Sequence, residues 1–367
     1  MCPIRYTLSL LVLVGLLRPL RAQPGMAAVP FLQIEPDSRA AGMGNTGVAV
    51  ADNVAAIFWN PAGLAFQQGV EASITHAQWL PQFKTDLFYD YLVGKFRLPN
   101  WGTFGAHVTF LNLGEHEYRD ADNNFLGTFR SYDLAVGLSY GALLSPSLGL
   151  GTGLRFIYSN LTPGIMVQGQ EAKAGTTVAA DLGLLYRSPS IRLGSGSGRL
   201  SLGLNLANLG PAIQYSDNAQ ADPLPTNLRL GWALSWSFDP EGRNMLTLAN
   251  DFNKMLVRRD TSGRADPFYK ALFTSWGPIQ TPGGRLALWQ QFTVGLGLEY
   301  WYNRLLAVRT GYFYEDKNNG NRRFVTFGAG IRYNIFGVDF SYLYTLEEQH
   351  PLANTMRFSL LLDLSRR

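Results

Sequence analysis

Apolar side chains recur at every second position in many short segments between residue 69 and the C-terminus. In the segment 229–238 one face carries large apolar side chains, namely Leu230, Trp232, Leu234, Trp236 and Phe238. The opposite face carries Arg229, Gly231, Ala233, Ser235 and Ser237. Because successive side chains of a β-strand point to opposite faces, this alternation predicts strands with one apolar face and one small or polar face.

The alternating segments are numerous enough to predict an all-β fold of about 14 strands. The predicted strands are 69–80, 85–97, 101–113, 127–143, 148–160, 174–187, 199–208, 226–238, 244–255, 289–301, 304–315, 322–333, 336–346 and 354–364. An even number of strands is typical of single-chain bacterial membrane barrels, and it places both ends of the barrel on one side.

Two features favour a transmembrane antiparallel β-barrel over a soluble β-sandwich. Aromatic residues stand at the ends of apolar faces, as Tyr132 and Tyr140 do, where a membrane interface holds amphipathic rings. The opposite faces carry mostly Gly, Ser, Ala and Thr, with isolated charges such as Asp133 and Asp181. Small residues with sparse charges of both signs suit a crowded lumen, and Gly149, Gly151 and Gly153 predict such a wall rather than a nucleotide site.

Connections of two lengths alternate along the chain, as they do in outer-membrane barrels. Short turns follow the even strands, and longer segments at 114–126, 161–173, 209–225 and 256–288 follow odd strands. This layout places both termini in the periplasm and the long loops outside the cell. The 256–288 loop is the longest, and its aromatic residues predict a contact site for partners or cargo: Phe268, Tyr269, Phe273 and Trp276.

The first 68 residues do not show strand alternation. Residues 1–22 read as a signal peptide, with Arg5 before a short apolar run at 8–17 and Ala22 as a small residue for cleavage. Residues 23–68 are rich in Gly and Ala, and Asp52 is a candidate cap for a short helix that Pro61 ends. We therefore predict three parts: signal peptide 1–22, a hatch or plug inside the lumen at 23–68, and the barrel at 69–367.

Composition agrees with a membrane barrel and gives no sign of catalysis. Charged residues make up 16% of the chain, against about 25% in soluble domains. The net charge of +4 is dispersed, so no nucleic-acid groove is expected. The one cysteine, Cys2, lies in the signal peptide, which excludes thiol chemistry in the mature chain. No nucleophile–base pattern occurs, so we expect no enzyme activity and no cofactor. We also expect no metal site, because Glu115-His116-Glu117 are adjacent residues on a loop and adjacent side chains rarely converge on one ion.

Several sequence blocks resemble the PorV family, an outer-membrane component of the type IX secretion system. The blocks are Pro30-Phe31-Leu32, Pro36-Asp37-Ser38-Arg39-Ala40, Gly42-Met43-Gly44, Trp59-Asn60-Pro61-Ala62, the stretch 224–229 and the stretch 351–359. The Asn-Pro-Ala element is also shared with the wider FadL-type transporter superfamily. Together the blocks span most of the mature chain.

The resemblance implies a 14-stranded barrel whose lumen holds an N-terminal hatch. The residues that it assigns to the hatch motif are Arg39, Gly42, Gly44, Asn60, Pro61, Ala62 and Gly63. It also implies a shuttle that receives secreted cargo with a C-terminal signal domain from a translocon barrel and presents the cargo to a surface sortase. Outer-membrane lipid would surround it.

Two alternatives stay open from sequence. The chain could instead be a FadL-like transporter of hydrophobic small molecules, which needs a continuous apolar path through the lumen. Arg39 either binds a lumen carboxylate such as Asp133 or Asp181, or is a solvated arginine in the periplasm.

Overall fold

The computed structural model describes residues 27–366, apart from 84, 121, 163, 165, 168–169, 217–220, 261, 282–283 and 348–349. The predicted signal peptide, residues 1–22, lies outside the described residues. Among the described residues, no helix is both long enough and apolar enough to cross a membrane.

Fourteen antiparallel strands form one closed ring in the described part of the chain, and each strand pairs with its neighbours in sequence. The strands are β1 Val70–Gln78, β2 Phe88–Leu98, β3 Gly102–Arg119, β4 Phe125–Ser145, β5 Leu148–Asn160, β6 Gly175–Arg187, β7 Gly196–Leu209, β8 Asn227–Ser237, β9 Met245–Met255, β10 Phe292–Tyr302, β11 Leu306–Tyr314, β12 Arg323–Tyr333, β13 Phe336–Thr345 and β14 Met356–Asp363. The ring closes where β1 pairs with β14, with Glu71 opposite Asp363 and Ala77 opposite Arg357. The predicted fold class is therefore confirmed.

The alternation of the sequence becomes an outer and an inner face of the ring. On β8 the outward side chains Leu230, Leu234 and Trp236 are about two-fifths exposed, as lipid-facing residues of an isolated barrel are. The inward Arg229 and Ala233 of the same strand are buried. The core of the molecule consequently lies inside the ring.

One pair of strands is longer than the sequence predicts. The segment 114–126 was expected to be a loop, but β3 continues to Arg119 and β4 begins at Phe125. The pairing shifts register between Asn112 and Glu115, and beyond the shift the side chains of the hairpin are mostly exposed. Because neither face of this extension is buried, no alternation marks it in the sequence.

Short elements lie before and between the barrel strands. The helices are α1 Ser38–Ala41, α2 Ala56–Trp59 and α3 Phe268–Thr274. Short 3₁₀ helices occur at Pro30–Gln33, Pro61–Phe66, Pro81–Phe83, Leu288–Gln291 and Leu364–Arg366. The remaining short strands are Met166–Val167, Gln170–Glu171, Ile191–Leu193, Ile279–Thr281 and Gly284–Leu286. The long 256–288 loop thus contains a helix and a small hairpin.

Candidate functional site

The N-terminal segment 27–68 folds against the inward faces of the strands, and its own two helices are tied together. Asp37 caps α1, because its carboxylate accepts a hydrogen bond from the Ala40 N–H at 3.0 Å. The other oxygen of Asp37 accepts from the indole N–H of Trp59 at 2.7 Å, at the end of α2. One buried carboxylate therefore holds the two helices in a fixed relation.

Arg39 joins this segment to the barrel wall through a buried ion network. Its guanidinium donates to both carboxylate oxygens of Glu299, at 2.8 and 2.7 Å, and also pairs with Asp52. Arg309 donates to the same Glu299 at 2.6 Å and to Asp339 at 2.7 Å. All of these side chains except Asp52 are almost inaccessible to solvent. Bidentate pairing of this kind fixes geometry as well as charge.

The partner of Arg39 differs from the two suggested by the sequence. Asp181 is bound by Arg155, and Asp133 accepts a hydrogen bond from Ser159. Arg39 does bind a lumen carboxylate, but that carboxylate is Glu299. Asp52 does not cap a helix, since α2 starts after Ala55 without a side-chain cap, and Asp52 pairs with Arg39 instead.

Gly42 and Gly44 bring the backbone of the segment into direct contact with the wall. A Cβ on Gly42 would lie 3.0 Å from the Cα of Gly328 on β12. Gly44 has a φ of +64° and faces the backbone of β10 and β11, where a Cβ would lie 2.5 Å from the Leu296 carbonyl oxygen. Only glycine combines this left-handed conformation with so close an approach.

Asn60, Pro61 and Ala62 form a second contact with the wall. The Asn60 side chain accepts from the Ala62 N–H at 3.1 Å and donates to the carbonyl oxygens of Val48, at 3.0 Å, and Leu184, at 2.9 Å. Asn60 is fully buried. It ends α2 in an extended conformation, and Pro61 then starts a 3₁₀ turn. The motif is thus a helix stop whose side chain also binds strand β6.

Glycines on the inner wall make room for these contacts. A Cβ on Gly151 of β5 would lie 2.1 Å from the Ala62 nitrogen, and one on Gly311 of β11 would lie 2.0 Å from the Gly44 nitrogen. A Cβ on Gly203 of β7 would lie 2.3 Å from the Val48 carbonyl oxygen. The crowded wall expected from the glycine alternation is therefore present. Gly63 packs within the segment itself, against Ala51.

Two cavities lie on either side of the segment. The inner cavity, of about 550 Å³, is lined by residues of the short turns and by Arg39 and Asp52. The outer cavity, of about 380 Å³, is lined by Glu35 and Trp59 and by residues of the long loops. Both linings are rich in charged, amide and hydroxyl side chains. The lumen is not one continuous apolar channel across the described residues.

The outer loop presents aromatic side chains to solvent on a short helix. We name the exposed residues Tyr269, Phe273 and Trp276, which are 62%, 80% and 44% exposed, the aromatic face. Tyr269 and Phe273 are four residues apart and lie on one side of α3. Trp276 follows the end of the helix, and its indole N–H donates to the Leu272 carbonyl oxygen at 2.7 Å. Phe268 is half-buried and packs edge-to-face against Tyr269, so it supports this face more than it contributes to it.

Polar contacts hold α3 in place. Asp266 accepts hydrogen bonds from Lys270 at 2.7 Å and from the Thr274 hydroxyl at 2.8 Å. The hydrogen bond from Lys270 holds the pKa of Asp266 below its usual value. Arg258 donates to the Thr274 carbonyl at 2.9 Å, at the C-terminal end of the helix. Ordered contacts at both ends make the aromatic face a defined surface.

Sequence reasoning found the two N-terminal motifs but missed most of their partners on the wall. Asp251 accepts from the N–H groups of Gly47 and Val48, and Arg229 donates to the Phe58 carbonyl while stacking on that ring at 4.6 Å. The signal available was an isolated charge within a lumen-facing alternation. Such a charge indicates a position that needs a hydrogen-bond or ion-pair partner, but the sequence does not identify that partner.

A metal site is not formed by the adjacent acidic and histidine residues of β3. Across the part of the chain that the structure describes, no three His, Cys, Asp or Glu side chains are grouped to hold an ion. Glu115 is 3.5 Å from Arg130 on the facing strand, and the His116 ring packs against Phe129. Glu115 and His116 therefore contact the facing strand of the β3–β4 hairpin.

A family model described as the type IX secretion system protein PorV matches residues 22–262, more than half of the chain. The chain belongs to the PorV family. The matched region includes the N-terminal segment and strands β1 to β9. This PorV-family chain is an outer-membrane β-barrel component of the type IX secretion system. The apolar outer faces of the closed ring of strands agree with a location in the outer membrane.

Solved structures show what fold this PorV-family chain shares. The toluene transporter TodX of Pseudomonas putida is 14% identical with a TM-score of 0.50, covering 89% of this chain and 96% of that one. The toluene transporter TbuX of Ralstonia pickettii is 14% identical with a TM-score of 0.48, at 89% and 96% coverage. A FadL homologue from Pseudomonas aeruginosa is 12% identical with a TM-score of 0.45, at 89% and 98% coverage. At such identity the likeness to TodX shows the fold alone. A search of curated proteins gives no match.

Proposed function

We propose that this chain is a shuttle and docking protein of the type IX secretion system. It receives secreted cargo through the cargo's C-terminal signal domain, takes it over from the translocon barrel, and presents it to a surface sortase. The observation that carries the proposal is the aromatic face on the outer loop, in a chain whose family belongs to this system. Exposed clusters of large aromatic side chains are typical of protein contact sites.

We further propose that residues 23–68 act as a hatch that keeps the lumen closed while cargo is handled outside. The buried network of Arg39 and the backbone contacts at Gly44 and Asn60 support this role. A shuttle needs such a closed lumen, because its cargo stays on the outer surface. The hatch motif would then be a set of contacts with the barrel wall.

No observation favours transport of hydrophobic small molecules. The likeness to TodX concerns the fold, and both lumen cavities are lined by many polar side chains. Arg229 and Glu35 line the outer cavity, and Arg187 and Asp52 line the inner one. An apolar solute on that path would strip water from charged groups, at a cost that apolar contacts do not recover.

Alanine at Tyr269 and Phe273 together is expected to weaken capture of a purified cargo signal domain by about 2 kcal/mol, the usual size of an aromatic hot spot. Capture by the tagged barrel in mild detergent measures this. Phe125→Ala is the matched control, because Phe125 is 56% exposed on a different outer hairpin.

The same tagged barrel, purified from its native outer membrane and followed by mass spectrometry, tests the whole proposal. We expect a very large barrel, a sortase-like protein and proteins that share a C-terminal sandwich domain to co-purify. Recovery of the barrel with bound fatty acid alone would contradict the shuttle and favour transport. Equal cargo capture by the double variant and the Phe125 control would remove the aromatic face from the mechanism.

A further inference from the structure

The inner cavity, on the side of the short turns, has an unusual charge balance. Among the described residues that line it are five arginines and three carboxylates. Each carboxylate is already engaged: Asp52 pairs with Arg39, Glu71 lies 3.7 Å from the Lys95 Nζ, and Asp363 accepts from the Ser365 N–H. Since Arg39 and Arg332 also pair with the wall carboxylates Glu299 and Asp339, the lining keeps three further arginines and therefore carries an excess of positive charge.

Three of the arginines have no carboxylate partner within ion-pair distance among the described residues: Arg187, Arg199 and Arg304. Arg187 donates to the carbonyl oxygens of Val50 and Ala51. Arg304 donates to the carbonyl oxygens of Glu241 and Gly242 in a turn. The Arg199 side chain makes no hydrogen bond or ion pair with the described residues. Backbone carbonyls orient two of the guanidinium groups but leave their charge available.

The register of the strands places these arginines in one continuous arc with serine hydroxyls between them. Arg187 on β6 stands opposite Ser201 on β7, and Arg199 stands opposite Ser235 on β8. Arg304 lies at the same end of the barrel, where its guanidinium is next to Gly242 and close to Ser237. We name Arg187, Arg199, Arg304, Ser197, Ser201, Ser235 and Ser237, all of which line the inner cavity, the basic arc.

We propose that the basic arc binds an acidic peptide segment that enters the lumen from the periplasm. Guanidinium and hydroxyl groups are the donors that carboxylates prefer. Arg187 and Arg199 are diagonal neighbours on adjacent strands, a placement that separates side chains by about 7–8 Å. In an extended peptide, carboxylates on one side recur at two residues, or about 6.6 Å. The spacing therefore suits an extended acidic peptide.

The position of the arc excludes a lipid headgroup as its ligand. Six residues of the arc lie on the inner faces of β6, β7 and β8, and Arg304 lies in the short turn between β10 and β11 and also lines the cavity, whereas the membrane contacts the outer faces, as with Leu200 and Leu234. The arc also lies on the side of the barrel opposite the aromatic face. The site is thus separate from the proposed cargo contact and goes beyond that function.

Binding of fluorescein-labelled hexaglutamate to the full barrel in detergent, followed by anisotropy, tests the proposal. We expect wild-type barrel to bind hexaglutamate but not hexaglutamine, and binding to weaken as NaCl rises, because the arc is open to solvent. Removing two charged donors in Arg199→Gln/Arg304→Gln should weaken binding at least tenfold. Arg264→Gln is the matched control, since Arg264 is exposed on the outer loop and does not line the cavity.

Each other outcome overturns the proposal. Failure of hexaglutamate to bind the wild-type barrel, or equal weakening by Arg264→Gln, would show that the arc does not recognise acidic peptides. Binding of inorganic triphosphate without binding of hexaglutamate would make it a phosphate site. Heat-resistant migration on a gel confirms that each variant is folded. A barrel with alanine at Tyr269 and Phe273 should keep hexaglutamate binding, so failure of the cargo proposal would be distinguishable.

Discussion

Replacing Arg309 by methionine is expected to destabilise the folded barrel by about 3 kcal/mol. Arg309 lies between Glu299 and Asp339, and it is 4% exposed while both carboxylates are more deeply buried. Removing it leaves two carboxylates in a lumen where each keeps only one arginine, Arg39 or Arg332. Stranding part of a buried ion network typically costs about 3–5 kcal/mol. Unfolding by guanidinium chloride in detergent measures the change.

The control for this variant is Arg192→Met, which changes the same side chain at an exposed position. Its free energy of unfolding should stay within about 0.5 kcal/mol of wild type, as surface changes usually do. Arg309→Lys should fall between the two, because lysine keeps the charge but loses the planar guanidinium that donates to Glu299 and Asp339 at the same time. An Arg309→Met barrel as stable as the Arg192→Met barrel would show that the network contributes no net stability.

Alanine at Gly151 is expected to expel the N-terminal segment 27–68, which we call the lumen segment, from its contact with β5. The added Cβ would lie 2.1 Å from the nitrogen of Ala62 and from the carbonyl carbon of Pro61, and both are backbone atoms that cannot rotate away. Overpacking a buried site costs about 1–3 kcal/mol, and a clash with rigid backbone lies at the top of that range. We expect limited proteolysis to cut the variant within 47–63, while its heat-resistant migration is retained.

Gly94→Ala provides the comparison, because Gly94 also lies in a barrel strand but has only one atom near its Cβ position, the Glu71 carbonyl oxygen at 3.9 Å. This variant should resist protease as the wild type does. If Gly151→Ala resists equally, the segment has enough freedom to shift, and wall contact at Asn60-Pro61-Ala62 does not fix its position.

Most of the barrel could be predicted from the sequence because burial inside the ring imposes a strict period of two. Strand β5 was predicted at 148–160 and spans Leu148–Asn160. The signal is lost where burial ends. The outer part of the β3–β4 hairpin is exposed on both faces, so it carried no alternation beyond Gly114 and was predicted as a loop.

The candidate site was less predictable because its contacts are long-range. Arg39 and Glu299 are 260 residues apart in the chain, and nothing local distinguishes Glu299 from Asp133 or Asp181 as a partner. The lumen face offers several isolated charges, and only the three-dimensional register decides which of them meet. The aromatic residues of the 256–288 loop were visible in the sequence, but the half-burial of Phe268 depends on how α3 packs.

The seam between β1 and β14 has a consequence for the order in which the molecule forms. Chain synthesis runs from the lumen segment to β14, so the ring cannot close before the last barrel strand exists. The N-terminal segment, which precedes all barrel strands in the chain, binds this strand directly, through Ser38 N–H to the Ser359 hydroxyl at 3.1 Å and Glu35 to Arg357 at 3.1 Å. Pairing between segments so far apart in the chain is slow, because the entropy cost of closing the long loop comes before the stabilising contacts form. An incomplete chain lacking β14 would leave the lumen segment without these partners and both edges of the sheet open to aggregation.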